Sequence, residues 1–263
     1  SGNPVEATGD EQVELFRSVK AGNGRVEIAL TDGGTLSAAQ VNDLSVAGTA
    51  NCYVVSAPGT YVFNARVRGN GAGEGVGFEP AIEMADGMTA DWLWTDSEGL
   101  VSGVALDTTS GDIFLTVGEG RGNALVALMQ DGKVVWSWHV WVTDAPQTMT
   151  YGNGTVFMDR NLGAAGTTAG GTDAYGMYYQ WGRKDPFYGG EKTETSANAF
   201  LEAKNGTVVN PAYPALDWAF SKSATTTDGA AANPMTFYND KVGTGYNWLA
   251  SPNATLWGEA KTL

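Results

Sequence analysis

Between Asn51 and Thr143 apolar and polar residues alternate in short runs. In Thr60–Val67, Tyr61, Phe63, Ala65 and Val67 fall on one side. Val62, Asn64, Arg66 and Arg68 fall on the other, the pattern of a half-buried antiparallel strand. Cys52-Tyr53-Val54-Val55 precedes it across Ala57-Pro58-Gly59, a tight-turn signal. Trp92-Leu93-Trp94 predicts another strand, and Val101–Leu106 with Ile113–Val117 predicts a hairpin around Asp107–Asp112. Ala124–Met129 and Val134–Val142 predict a second hairpin, with Asp131-Gly132 as a type I′ turn. In its second strand Val134, Trp136, Trp138, Val140 and Val142 share one face, and Val135, Ser137, His139, Trp141 and Thr143 the other. About seven short strands in about 100 residues predict a two-sheet β-sandwich of immunoglobulin-like (Ig-like) size over 48–146. Asp144-Ala145-Pro146 ends the pattern.

The flanking segments are less regular. Residues 1–47 read as a spacer or the end of a preceding module; within them Arg25–Leu30 alternates as a strand, and Glu11–Lys20 fits a short helix or a strand. Gly69–Gly77 has glycine at alternate positions from Gly71, but no helix or lysine follows, so a hairpin loop is expected rather than a phosphate cradle. Beyond 147 alternation fades into a loop-rich module, 147–263, held by aromatic packing. There Thr155–Met158 predicts a strand, Gly163–Gly171 a small-residue loop, Asn198–Lys204 a short helix and Thr225–Pro234 a polar surface loop.

Composition narrows the partners. Of 263 residues 36 are glycine, 43% are hydrophobic and 11% aromatic, which suits many short strands around a sizeable core. The net charge is −14, with 19 acidic against 7 basic residues in 1–148 and 10 against 8 in 149–263. No cluster of Lys and Arg offers a phosphate-binding face, which argues against nucleic acid and anionic membrane surfaces. One cysteine, Cys52, and one histidine, His139, exclude a disulfide within the chain and leave only two soft ligands for a Cys/His zinc site, which argues strongly against one. No apolar run approaches the length of a membrane helix. Ser1-Gly2-Asn3-Pro4 does not read as a signal peptide; a trimmed mature terminus or an artificially cut end is expected.

Catalytic chemistry has little to build on. A nucleophilic dyad or triad would need His139, which sits mid-strand, where a structural role is expected. Cys52 reads as a small core residue. No local motif selects an acid pair for glycoside hydrolysis. Calcium asks only for oxygen ligands, so Asn239 and Asp240, and Asp173 after Gly170-Gly171, are weak candidates against ordinary turn chemistry. No other cofactor is expected. The binding chemistry this composition suits is stacking of sugar faces on aromatic rings. Candidate platforms are Trp181, Tyr178, Tyr179, Tyr188, Trp218 and Trp248, with core filling as the alternative for each.

Two stretches resemble a known family. Ala50–Tyr61 continues with Trp136-Ser137-Trp138-His139-Val140-Trp141-Val142-Thr143-Asp144; Phe157-Met158-Asp159-Arg160-Asn161-Leu162-Gly163-Ala164 continues with Tyr178-Tyr179-Gln180-Trp181-Gly182-Arg183-Lys184-Asp185-Pro186-Phe187. Together they resemble fimbrillin-like and major-paralogous-domain (FISUMP-type) surface lipoproteins of gut Bacteroidetes, over about residue 48 to the end. The resemblance implies an exported cell-surface, outer-membrane lipoprotein held by a lipid anchor. It implies a sandwich followed by a loop-rich α+β module resembling the C-type-lectin-like fold. It implies no catalytic residues, and roles in adhesion, fimbria or pilus assembly, or glycan handling, with other surface or pilus subunits or glycans as partners. It also predicts a further stretch after Leu263, with a Cys-Pro pair and a Trp-Arg-Val-Pro-like segment. A truncated or processed form, or completion by a second polypeptide, is therefore expected, with an exposed apolar surface or strand edge as its mark. The expected function is non-enzymatic adhesion or fimbria assembly; the alternative is a carbohydrate-binding module for host or dietary glycans.

Overall fold

The computed structural model describes residues 27–29, 35–37, 41–71, 81–188 and 208–251, the first two segments as backbone alone. The Glu11–Lys20 element, the glycines from Gly73 to Gly77 and the Asn198–Lys204 helix lie outside the described residues. What is described is mainly β. Strands β1 (Glu27–Ala29) and β2 (Thr35–Ser37) pair antiparallel with each other. They are followed by β3 (Val41–Asp43), β4 (Cys52–Val55), β5 (Gly59–Asn64), β6 (Met88–Thr95) and β7 (Val101–Asp107). Next come β8 (Asp112–Val117), β9 (Gly122–Gln130) and β10 (Lys133–Val142), then the short pair β11 (Thr148–Thr150) and β12 (Val156–Met158). The last elements are β13 (Val208–Val209), β14 (Ala219–Ser221), helix α1 (Thr227–Ala232) and β15 (Thr236–Tyr238).

Two sheets enclose the main core. One runs β3-β5-β8-β7, the other β13-β6-β9-β10-β4. Within them pairing is antiparallel except that β3 lies parallel to β5 and β4 parallel to β10. Phe63, Ile113 and Leu115 from the first sheet meet Val126, Leu128, Trp138 and Val140 from the second. Each such side chain contributes roughly 1.5–3 kcal/mol by leaving water. The alternation of β5 places Tyr61, Phe63 and Ala65 in this core as expected. Val62 on the opposite face is buried too, against Val41 of β3 and Phe114 of β8. The Ala57-Pro58-Gly59 turn carries the chain from one sheet to the other instead of closing a hairpin.

The β9–β10 hairpin forms as predicted. Asp131 and Gly132 have φ of +52° and +73°, the two left-handed residues a type I′ turn needs. One expectation is corrected. The register shifts between Val134 and Trp136, so Val134 turns to the outer face while Trp136, Trp138, Val140 and Val142 keep the inner one. A bulge adds one residue and inverts the alternation before it.

The outer face of the β6-β9-β10 sheet is covered as well. Leu93, Trp94, Leu125, Ala127, Met129 and Val134 join Phe187, Trp218 and Met235 in a second core. Strand β9 is therefore buried on both faces, which accounts for its unbroken apolar run Ala124–Met129. Residues after 147 supply this covering layer, and β13 adds an edge strand to the same sheet beside β6. Helix α1 corrects the expectation of a polar loop at Thr225–Pro234. Thr226 caps it by accepting from Gly229 N, and Asp228 lies in its first turn.

Candidate functional site

The covering layer is locked to the sheet by polar side chains, and this lock sets what the surface displays. Arg183 and Asp185 are buried. Arg183 Nε donates to Asp185 Oδ2 at 3.0 Å, Nη1 to Gln180 Oε1 at 2.9 Å and to the Thr236 carbonyl at 2.6 Å, and Nη2 to the Asn233 carbonyl at 2.9 Å. Its guanidinium also stacks over Phe187 and Tyr238, 4.9 and 5.3 Å from the ring centroids. Gln180 in turn donates to the Tyr238 carbonyl and accepts from the Tyr238 amide. Lys184 reaches Ser137 and Asp185 and lies over the Trp136 ring at 4.5 Å. Burial pulls the Lys184 pKa down, while Asp185 pulls it back up.

Between these anchors Gln180–Arg183 forms a tight turn, with Arg183 N donating to the Gln180 carbonyl at 2.8 Å. Gly182 sits at φ +79°, the left-handed position of a type II turn. Trp181 occupies the tip and is 88% exposed. Its carbonyl accepts from Trp248 Nε1 at 2.8 Å. The loop preceding Trp248 is closed by Tyr246 N donating to the Asp240 carbonyl at 2.8 Å. That loop displays Val242, 96% exposed, and Tyr246, 58% exposed. Tyr246 holds φ +74°, a strained backbone for a bulky residue.

The six candidate platforms thus separate. Trp181 is open, and Tyr178, in a two-residue bridge with Phe187, is 48% exposed. Trp218 is buried against Trp94 and Phe187, and Trp248 is buried under the Trp181 turn, so neither offers an open face. Tyr179 is half-buried and turned inward, its hydroxyl 3.2 Å from His139 Nδ1. Tyr188 is half-buried, and burial raises its pKa.

Cys52 and His139 do meet. Cys52 Sγ lies 3.3 Å from His139 Nδ1. His139 Nε2 lies 2.8 Å from Asn123 Oδ1, while Asn123 N and Nδ2 donate to the Asp96 carboxylate at 2.6 and 2.8 Å. An acceptor-only carboxylate fixes the Asn123 amide, so Nε2 carries the imidazole proton and Nδ1 accepts from the thiol and from Tyr179. This is a Cys–His–Asn constellation in which burial favours the neutral form of both the thiol and the imidazole. Burial lowers the His139 pKa to about 3 and raises the Cys52 pKa to about 12. The thiol is thus enclosed although Cys52 as a whole residue is exposed. Neutral thiol beside neutral imidazole supplies no thiolate at physiological pH. Cys52 is not in the core: Tyr53 and Val55 face inward and Cys52 faces away.

The calcium candidates are engaged in turns. Asp240 Oδ1 accepts from Gly243 N at 2.6 Å, and Asp173 Oδ2 accepts from Thr168 Oγ1 at 2.7 Å. Asn239 Oδ1 is buried and has no hydrogen-bond partner among the described residues. Among the described residues no three His, Cys, Asp or Glu side chains converge as metal ligands.

A further concavity was not foreseen from the sequence. A cleft of about 420 Å³ lies between β12 and the loop that follows it, lined by Phe157, Met158, Asp159, Arg160, Asn161, Gly166, Thr167 and Ala174. Neither a protein family, nor a curated protein, nor a solved structure matches the chain.

Proposed function

We propose that this is a non-enzymatic, adhesive cell-surface protein that contacts glycans through the Trp181 turn. Trp181 carries the reading: a fully displayed indole on a turn whose two neighbours in the lock, Gln180 and Arg183, are buried and multiply hydrogen-bonded. Exposing an indole forgoes about 1.5–3 kcal/mol of burial. Rigid presentation lowers the ordering entropy of binding, and an aromatic face suits the apolar face of a sugar ring. Strained Tyr246 on the loop tied to the turn through Trp248 supports the same surface.

Within this reading the sandwich is Ig-like. The orders β5-β8-β7 and β6-β9-β10 correspond to the B-E-D and C-F-G strands, with β4, parallel to β10, in the place of the strand that flanks G, while the parallel pairing of β3 with β5 departs from the Ig pattern. The C-type-lectin-like reading of 147–263, export, a lipid anchor and an outer-membrane location rest on the resemblance of Ala50–Tyr61, Phe157–Ala164 and Tyr178–Phe187 to fimbrillin-like and major-paralogous-domain lipoproteins. Assembly into fimbriae is the second reading. It is favoured by β4 and β7, whose outer edges carry no strand partner among the described residues and could accept an added strand.

The test is affinity electrophoresis of the wild type and Trp181→Ala in gels containing mucin, pectin or starch. Retardation by one of them, lost in the variant, is expected. Equal mobility of both proteins in all three overturns the glycan reading. Antibody labelling of sheared cell-surface filaments tests assembly: label along or at the tip of fibres favours it, and label confined to the cell body rules it out.

A further inference from the structure

We propose that the cleft beneath β12 is a second binding site, which takes one neutral hexose or N-acetylhexosamine unit. It is separate from the Trp181 turn, and the proposal rests on the glycan reading above only for its biological setting.

The walls are built by three local devices. On one side β12 pairs with β11, with Met149 opposite Phe157, and the Tyr151 ring stands edge-on to Phe157 at 5.3 Å. Phe157 is 55% exposed, so an aromatic face stands open at the rim. On the other side the 166–173 loop is pinned by Gly166 N donating to the Asp173 carbonyl at 2.8 Å and by the Thr168–Asp173 hydrogen bond. Along the floor Arg160 is fixed through Nη1 to Thr143 Oγ1 at 2.7 Å, and through Nε and Nη2 to both oxygens of Asp159 at 2.8 and 2.9 Å. Thr143 lies directly after β10, so the floor is tied to the sandwich itself.

The charge and hydrogen-bond inventory select the ligand. Arg160 commits three of its five N–H donors to Asp159 and Thr143, and the Asp159 carboxylate compensates its charge, so the pair presents an anion with no net positive charge. The Asp159 carboxylate stays ionised under Arg160 and keeps lone pairs beyond the two it uses, suited to accept from two hydroxyls. Asn161 donates through Nδ2 to the Ala174 carbonyl at 3.3 Å, which leaves its Oδ1 and second N–H for a ligand. The Thr167 hydroxyl makes no hydrogen bond among the described residues and adds a rotatable donor and acceptor. One aromatic face beside several neutral or compensated polar groups is the chemistry of a neutral polyhydroxylated ring, and about 420 Å³ falls within the roughly 300–1,000 Å³ of small-molecule sites.

The experiment is NMR and calorimetric titration of the 263-residue chain with galactose, glucose, N-acetylglucosamine and glucuronate. The same titrations are run on Phe157→Ala, Thr167→Val and Trp181→Ala. Phe157 and Thr167 are exposed, so both cleft variants are expected to fold, which the wild-type-like spread of their amide spectra checks. The expected result is millimolar binding of at least one neutral sugar and much weaker binding of glucuronate. Affinity should fall at least tenfold in Phe157→Ala and severalfold in Thr167→Val, and be unchanged in Trp181→Ala. Binding that survives Phe157→Ala, or binding of glucuronate alone, overturns the proposal. If Trp181-dependent polysaccharide binding exists but no monosaccharide binds, this site fails and the Trp181 reading stands. If monosaccharides bind at the cleft but no polysaccharide depends on Trp181, the reverse holds.

Discussion

The buried indole of Trp248 donates from Nε1 to the main-chain carbonyl of Trp181, 2.8 Å away, so one tryptophan holds the turn that displays the other. Trp248→Phe keeps most of the buried ring and removes the donor. It is expected to lower stability by about 1 kcal/mol, the usual net worth of such a bond, and to weaken retention in polysaccharide gels. Trp181→Ala should change stability by less than about 0.5 kcal/mol, because the indole is exposed. Urea unfolding of the two variants separates holding the turn from presenting the ring.

The Arg183–Asp185–Lys184 cluster predicts a large effect from a small change. Asp185 lies 3.0 Å from Arg183 and also contacts Lys184 and Ser137. Asp185→Ala leaves two cations without their carboxylate in a buried layer. A loss of about 3–5 kcal/mol is expected, and urea unfolding measures it. A loss under about 1 kcal/mol would mean that the carbonyls around Arg183 suffice.

His139 sets an acid limit. Its pKa falls from 6.5 to about 3 on folding, so between these values the unfolded chain binds a proton that the native chain refuses. Stability from this group is fully present above pH 6.5 and declines as the pH drops toward about 3, with a slope of up to about 1.4 kcal/mol per pH unit. Unfolding free energies measured from pH 7 to pH 4 should show that slope, and His139→Gln should reduce it.

Cys52 is expected to resist alkylation although the residue is exposed. Raising the thiol pKa from 9.0 to about 12 lowers the thiolate fraction about a thousandfold. Iodoacetamide at pH 8 should label native protein slowly and urea-unfolded protein at the rate of a free cysteine. Equal rates would mean that His139 does not enclose the sulfur.

Local patterns carried the strands and left the layer above them unread. Asp131-Gly132 with apolar runs on either side was enough for the longest hairpin, because turn chemistry and alternation are both local. Val134 was misplaced because a bulge is decided by the partner strand, here Leu128 and Met129. Helix α1 did leave a trace, in capping Thr226, Asp228, three alanines and a closing Asn233-Pro234, which the surrounding threonines disguised as a polar loop. The aromatic candidates could not be ranked from sequence. Trp181, Trp218 and Trp248 have similar neighbourhoods, and what separates them is whether the chain turns beneath the ring or packs over it. The lock around Arg183 depends on Thr236 and Asn233, some fifty residues away, and no local spacing announces it.

The second core has a consequence for the order of assembly. A chain delivered N-terminus first finishes β10 at Val142, with Trp94, Leu125 and Met129 already arrayed on one face of the sheet. Their cover, Phe187, Trp218 and Met235, arrives about 45 to 95 residues later, or roughly 2–20 s at ordinary synthesis rates. In that interval the nascent sandwich shows a broad apolar sheet face, with the Ser137 and His139 side chains still uncovered. The partly made protein is therefore the sticky species, and a chaperone that shields a flat β surface would act on this chain before release and not after.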